Sequence, residues 1–392
     1  MRYHIGDKLE IRIEKIVPNG LGMGFGEELT VFVPLSAPGD VLVVELRQIK
    51  GRTAFAAIDK ILVASDVRTD PVCPHFGVCG GCDLQHLKYD AQLEAKKEMI
   101  RDSLTRIAKL EPPEDFKILP SPMEHGYRLR TQFHYSSSKG KLGFFKRLSH
   151  EVEDIEHCPI LSDGMNRVLR DIRNELKGLR FDEAVTHIDA AAVGEANSIY
   201  SSELVAPTEE LRMDVFGERF LFNAKSFFQA NESMIEILVE TAVGGEGGET
   251  ALDLYCGAGL FSIPLAKRFG SVIGIEVEGV SLEFGERNRE LARVENLEFH
   301  RGRVREFFAE FKEIEADLVL LDPPRGGVKA PVLERIADAA KERIVYVSCN
   351  PSTLARDLAL LEKIGFAIES LTGLDLFPQT HHVETVAKLS RR

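Results

Sequence analysis

Apolar and polar positions change their period along this chain, and the changes divide it. Between residues 8 and 63 the period is two. Leu9, Ile11 and Ile13 alternate with Glu10, Arg12 and Glu14, as in strands with one face turned to a core. Pro18-Asn19-Gly20 and Pro38-Gly39-Asp40 punctuate this region as turns, between apolar runs at 29–33, 41–46 and 53–63. Several short strands with regular turns predict a five-stranded barrel of the OB type. From 89 to 110 the period lengthens to about 3.6, the spacing of a helix face. Leu93, Ala95, Ile100, Leu104 and Ile107 form that face, and Pro112-Pro113 ends it. Residues 160–225 read as mixed α+β, with a helix near 164–176 and strands near 184–205. A helix over 232–243 precedes the linker Gly244-Gly245-Glu246-Gly247-Gly248.

Beyond that linker short β-branched runs alternate with helical stretches, which predicts a doubly wound parallel α/β sheet. Its strands are expected at 271–275, 317–321 and 343–347. The segment Arg343–Leu358 concentrates the interest. Its strand ends in Ser348-Cys349-Asn350-Pro351, and Ser352-Thr353 are candidate caps for a helix from Leu354. Cys349 is thereby expected at the carboxyl rim of the sheet, where open α/β sheets place their ligands. A buried cysteine acting as a small hydrophobe is the alternative. Three segments follow: 1–64, 65–225 and 226–392. The helix near 89–110 is a candidate to pack on the third.

With 392 residues, 44% of them hydrophobic, the chain has the make-up of a soluble multidomain protein. No apolar run approaches the roughly 20 residues of a membrane span, and MRYHIGDKLE at the amino end is no signal segment. A cytoplasmic monomer without membrane contact is expected, with its six cysteines reduced. The formal net charge of −13 argues against a simple nucleic-acid binder, so any such site must be a local patch. The stretch 128–147 is a candidate. Arg128, Arg130, Lys139, Lys141, Lys146 and Arg147 are interleaved there with Tyr127, Phe133, Tyr135, Phe144 and Phe145, without an acidic residue. It could pair phosphates and stack bases, or be a solvated strand pair with an aromatic core face.

Cys73, Cys79 and Cys82 are spaced C-x5-C-x2-C, and Cys158 supplies a fourth thiol. Four thiolates satisfy a tetrahedral zinc or a cubane cluster. The three-plus-one arrangement favours a [4Fe–4S] cluster, and Gly80-Gly81 let the backbone wrap it closely.

Asp253-Leu-Tyr255-Cys256-Gly257-Ala258-Gly259 reads as a strand, a tight turn and a helix start. Gly257 and Gly259 allow backbone to approach a ligand, and Glu276 ends the next strand where ribose hydroxyls are bonded. Ser262 replaces the third glycine of a dinucleotide fingerprint, so S-adenosylmethionine suits the loop better than a nicotinamide. Cys256 suits packing. Asp322-Pro323-Pro324-Arg325 fixes a carboxylate beside the same pocket. Amino-group methyltransferases carry an aromatic after the paired prolines and RNA cytosine-C5 enzymes a cysteine; Arg325 stands there instead.

The ordered set of the 8–63 barrel, the cysteine quartet, Phe227-Phe228-Gln229, Asp253–Gly259, Asp322-Pro-Pro-Arg, Ser348-Cys349-Asn350-Pro351 and Phe377–Glu384 resembles one family, the RNA 5-methyluridine (uracil-C5) methyltransferases. The resemblance covers nearly the whole chain. It implies a Rossmann-like methyltransferase domain behind a TRAM-type barrel and an iron–sulfur central domain. It implies S-adenosylmethionine and a [4Fe–4S] cluster as cofactors and RNA, ribosomal or transfer, as partner. It further implies Cys349 as nucleophile, Glu384 as base, and Gln229, Tyr255, Glu276 and Asp322 at cofactor- or substrate-binding positions. Leu260, where many members carry Asn, and Arg303, near the place of an Asp or Asn, depart from the family pattern. Two other readings compete. A nicotinamide-dependent iron–sulfur oxidoreductase requires the glycine that Ser262 replaces. A non-catalytic RNA-binding protein with a structural cluster leaves Cys349, Asp322 and Glu384 without a joint purpose.

Overall fold

The computed structural model describes residues 3–179, 185–203 and 208–392. Positions 184, 204 and 205 of the strand region expected near 184–205, and residues 1 and 2 of the first segment, lie outside the described residues. Strands β1 (Lys8–Val17), β2 (Leu21–Phe25), β3 (Thr30–Pro34), β4 (Val41–Lys50) and β5 (Thr53–Val63) close a barrel in the order β1-β2-β3-β5-β4. The alternating residues decide it: Ile11, Ile13, Val31, Val33, Leu42, Val44 and Leu46 are all buried inside, while their charged neighbours face out.

Helix α1 (Tyr89–Ser103) ends in a wide π turn over Leu104–Ala108, closed by Lys109 in the left-handed region (φ 60°). The expected helix to 110 thus loses its regular bonding after Ser103. A short strand, β6 (Lys117–Leu119), follows. The middle of the chain holds β7 (Arg130–Ser136), β8 (Lys141–Phe145), β9 (Val152–Asp154), α2 (Asp163–Glu175), β10 (Thr186–Val193) and β11 (Ala196–Tyr200). Its sheet runs β11-β10-β7-β8-β9. Ser162 caps α2 by accepting from the Met165 amide. The hairpin β12 (Leu211–Val215) and β13 (Glu218–Phe222) leads into α3 (Glu232–Val243).

The last part is a layered α/β unit. It comprises β14 (Gly248–Leu254), α4 (Ser262–Ala266), β15 (Phe269–Glu276), α5 (Gly279–Ala292), β16 (Leu297–Arg301), α6 (Val304–Glu310), β17 (Ala316–Leu321), α7 (Ala330–Ala339), β18 (Ala340–Ser348), α8 (Pro351–Ile364), β19 (Phe366–Leu374) and β20 (Glu384–Arg391). The sheet order is β16-β15-β14-β17-β18-β20-β19-β6. The strands from β16 to β18 are parallel, and β20 runs antiparallel between β18 and β19. Apolar cores cover both faces, as buried parallel strands require.

Two segments of 65–225 pack on this unit. β6 pairs with β19, and α1 packs against α8, a buried Lys96–Asp375 ion pair fastening it to the segment after β19. The three residues of β6 carry no periodic signal, so only the fold reveals their partner. A smaller apolar cluster of Ile16, Ala37, Leu84, Leu87, Ala95 and Met99 seals the barrel against the cysteine segment and α1. Among the described residues no helix is long and apolar enough to cross a membrane.

Candidate active site

Strand order builds the site. Five neighbouring strands end at one rim, and each brings a polar residue there. Glu276 ends β15, Tyr255 follows β14, Asp322 follows β17, Cys349 follows β18 and Glu384 opens β20. Ser348 pairs with Thr385 across β18 and β20. That register sets Cys349 beside Glu384 although 35 positions separate them in sequence.

Cys349 is held by its surroundings. Asn350, and not Ser352 or Thr353, caps α8: its side chain accepts from the Ser352 amide at 3.1 Å. Pro351 suits the first helical position because its missing N–H would be unpaired there. The Asn350 amide donates to the Arg325 carbonyl at 3.1 Å, and Thr353 Oγ1 donates to that carbonyl at 3.2 Å. The cysteine turn and the Asp322-Pro-Pro-Arg turn are thus one rigid body. Asp357 adds to it, accepting from Val328 N and Tyr346 Oη at 2.8 and 2.7 Å.

The electrostatics are those of an acid cluster in a dry place. Burial, then the Glu384 and Asp322 carboxylates, push the Cys349 thiol up to about 11, with Arg325 opposing. Burial and then Asp322 push Glu384 well above the usual carboxylate range, and burial raises Asp322 as well. Glu384 Oε1 is enclosed without a hydrogen-bond partner. Cys349 opens on a cavity of about 140 Å³ that it shares with Arg325, Asn350, His381, His382 and the barrel turn at Pro18-Asn19.

A second cavity of about 420 Å³ is lined by Tyr255, Glu276, Val277, Gly302, Arg303 and Lys329 among others. Tyr255 holds φ at 65°, a conformation that costs about 1–3 kcal/mol outside glycine and clusters at functional sites. Gly257 and Gly259 have φ of 55° and 85°. A Cβ at Gly257 would meet nothing within 4 Å, so its backbone faces free room. Glu276 accepts from the Gly257 amide at 3.1 Å and from Val277 N and Glu278 N at 2.7 Å each. Asp253 lies buried beneath the loop, where burial raises its carboxyl to about 7, and Ser262 donates to it at 2.5 Å. A third glycine could not make that bond, which explains Ser262. These residues fit a nucleoside-bearing cofactor. Gln229 is buried but lines neither cavity; its loop is fastened by Arg130, which donates to the Ser226 and Phe228 carbonyls at 2.8 and 3.2 Å.

The four cysteines Cys73, Cys79, Cys82 and Cys158 rim a third cavity of about 290 Å³ with Gly80, Gly81, Arg128 and Phe377. None is in a disulfide. Among the described residues no three ligand-type side chains close around a single ion point. Burial pushes Cys79 up to about 11 and raises Cys82 and Cys158, and the Gly81 amide donates to Cys79 Sγ at 3.4 Å. Arg325 and His382 line both this cavity and that of Cys349.

Of the two readings of the basic–aromatic stretch, its contacts match the strand pair with an aromatic core face. Arg130 binds carbonyls, Arg147 binds Asp83 and the Cys82 carbonyl, and Lys139 and Lys146 pair with Glu151. Tyr127, Phe133 and Tyr135 are core. Sequence reasoning also passed over Asn350, Arg325 and His382 as site residues. The paired histidines before Glu384 were the available signal.

Comparison with known proteins agrees with this geometry. A family model described as tRNA (Uracil-5-)-methyltransferase matches residues 199–392. The 23S rRNA (uracil(1939)-C(5))-methyltransferase of Vibrio parahaemolyticus is 30% identical over 96% of this chain and 94% of its own length. An RNA methyltransferase of Synechocystis is 33% identical over 97% of this chain and 95% of its own. The crystal structure of Pyrococcus abyssi tRNA (uracil-54, C5)-methyltransferase in complex with S-adenosyl-L-homocysteine superposes with a TM-score of 0.73 and 28% identity, covering 97% of this chain and all of that one. The nicotinamide-dependent and non-catalytic readings fall away, and the chain belongs to the S-adenosylmethionine-dependent RNA (uracil-C5)-methyltransferases.

Proposed function

We propose that the chain methylates C5 of one uridine in a structured ribosomal or transfer RNA through a covalent adduct between Cys349 Sγ and uracil C6. The observation that carries this is the delivery of Cys349, Glu384 and Asp322 to one rim by adjacent strands. Uracil C5 is a weak nucleophile. Addition of the thiolate to C6 turns C5 into an enolate carbon. S-adenosylmethionine, when bound, supplies a methyl group on a sulfonium for that carbon. Glu384 then takes the C5 proton, the C5–C6 double bond re-forms, and the C6–sulfur bond breaks to return the thiolate. Asp322 stands beside both groups and orients the base or the cofactor. Tyr255, Gly257, Gly259 and Glu276 hold the cofactor. The target base is flipped out of its stack to reach Cys349, and the barrel grips flanking RNA in the TRAM manner. The test is mass spectrometry of nucleosides from ribosomal and transfer RNA of a deletion strain, after incubation with the protein and labelled S-adenosylmethionine. Labelled 5-methyluridine at one position is the expected product; label on another atom or none refutes the reading.

Cys349 and Glu384 both work deprotonated, and both have raised pKa values. The working forms therefore gain population as pH rises. For RNA, kcat/KM, which reports groups of the free enzyme, should climb through the neutral range. The thiolate is needed for the addition step, so a profile already flat by about pH 7, below the ordinary thiol pKa of about 8.5, contradicts the raised Cys349 thiol.

Cys73, Cys79, Cys82 and Cys158 would hold a [4Fe–4S] cluster that ties residues 73–82 to 158 and takes no part in methyl transfer. Spacing, a glycine-lined cavity and an amide aimed at a sulfur support this. Protein purified without oxygen should be brown and carry iron and sulfide in equal amounts. One zinc without sulfide would overturn the cluster.

A further inference from the structure

Asp83 follows the ligand-type residue Cys82, yet it reaches across 298 positions to the segment that carries Glu384. Its Oδ2 pairs with His381 Nδ1 at 2.6 Å. Its backbone N–H and that of Leu84 donate to the Gln379 carbonyl at 3.0 Å each. Arg147 steadies Asp83 from behind, with Nη1 on Oδ1 at 3.0 Å and Nη2 on the Cys82 carbonyl at 2.8 Å. The barrel closes on it too: a Cβ at Gly20 would lie 2.5 Å from the Cβ of Asp83. His381 stands three residues before Glu384. Its ring packs 4.1 Å from that of His382, whose Nε2 lies 3.4 Å from Arg325 Nη2, and both histidines face the cavity of Cys349. Gln379 is itself held in the left-handed region, φ 70°. Upstream, the tail before β20 is held by its own turn at Thr380 and by Lys96, Gln92 and Tyr127; nearest Glu384, the side-chain hold on His381 comes from the cysteine segment through Asp83.

We propose that Asp83 and His381 are positioning residues that hold Glu384 where it meets the C5 proton, so that the cysteine segment sets the geometry of the base step. This rests on the reading of Glu384 as base. Neither residue touches the cofactor cavity, so loosening them should slow elimination and spare cofactor binding. A misplacement near 1 Å can cost about 10²-fold in rate.

The experiment compares Asp83→Asn, His381→Ala, His381→Asn and Glu384→Gln with natural uridine RNA. Asp83→Asn and His381→Ala should each lower kcat about 10²-fold, leave KM for S-adenosylmethionine within about twofold, and show a methylated protein–RNA band on a denaturing gel. His381→Asn, whose amide can donate from near the Nδ1 position, should restore most of kcat and remove the band. Normal turnover, slow turnover without the band, or no rescue by asparagine overturns the proposal. Should Asp83→Asn lose iron or aggregate, His381→Ala decides, since it leaves the cysteine segment intact. A band in Glu384→Gln but in neither loop variant sinks the positioning role alone. Lost turnover without a band in Glu384→Gln sinks the base assignment instead.

Discussion

A Cys349→Ala variant is expected to lose all turnover while binding S-adenosylmethionine as tightly as the wild type. The thiol acts on the base, and the cofactor cavity is lined from β14, β15 and the segments after β16 and β17, not by the cysteine turn. The substitution removes the sulfur without disturbing the Asn350 cap or its bond to the Arg325 carbonyl, both made by the neighbouring residue. Fold and cofactor affinity should therefore survive, and calorimetry reads the second directly. The complementary result comes from wild-type protein and RNA carrying 5-fluorouridine. Fluorine cannot leave as a proton, so the adduct should persist through denaturation and run as a shifted band. The alanine variant should show no such band. Turnover retained by Cys349→Ala would exclude the nucleophile assignment. Loss of cofactor binding together with turnover would point to collapse of the rim rather than to missing chemistry.

The barrel was legible because a period of two over Leu9–Glu14 admits few alternatives, and because proline and glycine marked its turns. The parallel unit was legible because its strands, covered on both faces, read as unbroken runs such as Ile344–Val347. Cys349 and Asp322 could be placed on the rim because each follows such a run at a proline-bearing turn. What was not legible depends on contacts between distant positions. β6 is three residues long and acquires its identity only by pairing with β19. Ser352-Thr353 were candidate caps for α8, yet Asn350 takes that place, its side chain also bonded to the Arg325 carbonyl. The basic run at 128–147 left an RNA face and a strand pair with an aromatic core face both open, and only the fold shows Arg130 and Arg147 directing donors to carbonyls and to Asp83. Charge in a sequence does not say whether its partner is a phosphate or the protein itself.

Glu384→Gln is expected to separate the two halves of the reaction. Addition of Cys349 to C6 and methylation of C5 require no base at position 384. Elimination does, because the C5 proton must leave before the C6–sulfur bond can break. Glutamine keeps the size of the side chain and can still accept a hydrogen bond through its carbonyl, but it cannot take up that proton. Removing a general base costs typically about 10²–10⁴-fold, and the slow step would then follow bond formation. The site favours a clean result. Glu384 is 4% exposed, so bulk water has little access to replace it, and a neutral side chain suits a position where burial and Asp322 already disfavour the charge. Natural uridine RNA, with no fluorine, should accumulate as an adduct that already carries the labelled methyl group. On a denaturing gel it would appear as a shifted, labelled band in the variant and not in the wild type. Normal turnover without a trapped band would move the base role elsewhere. Asp322, the other raised carboxyl at the same rim, would be the next residue to replace.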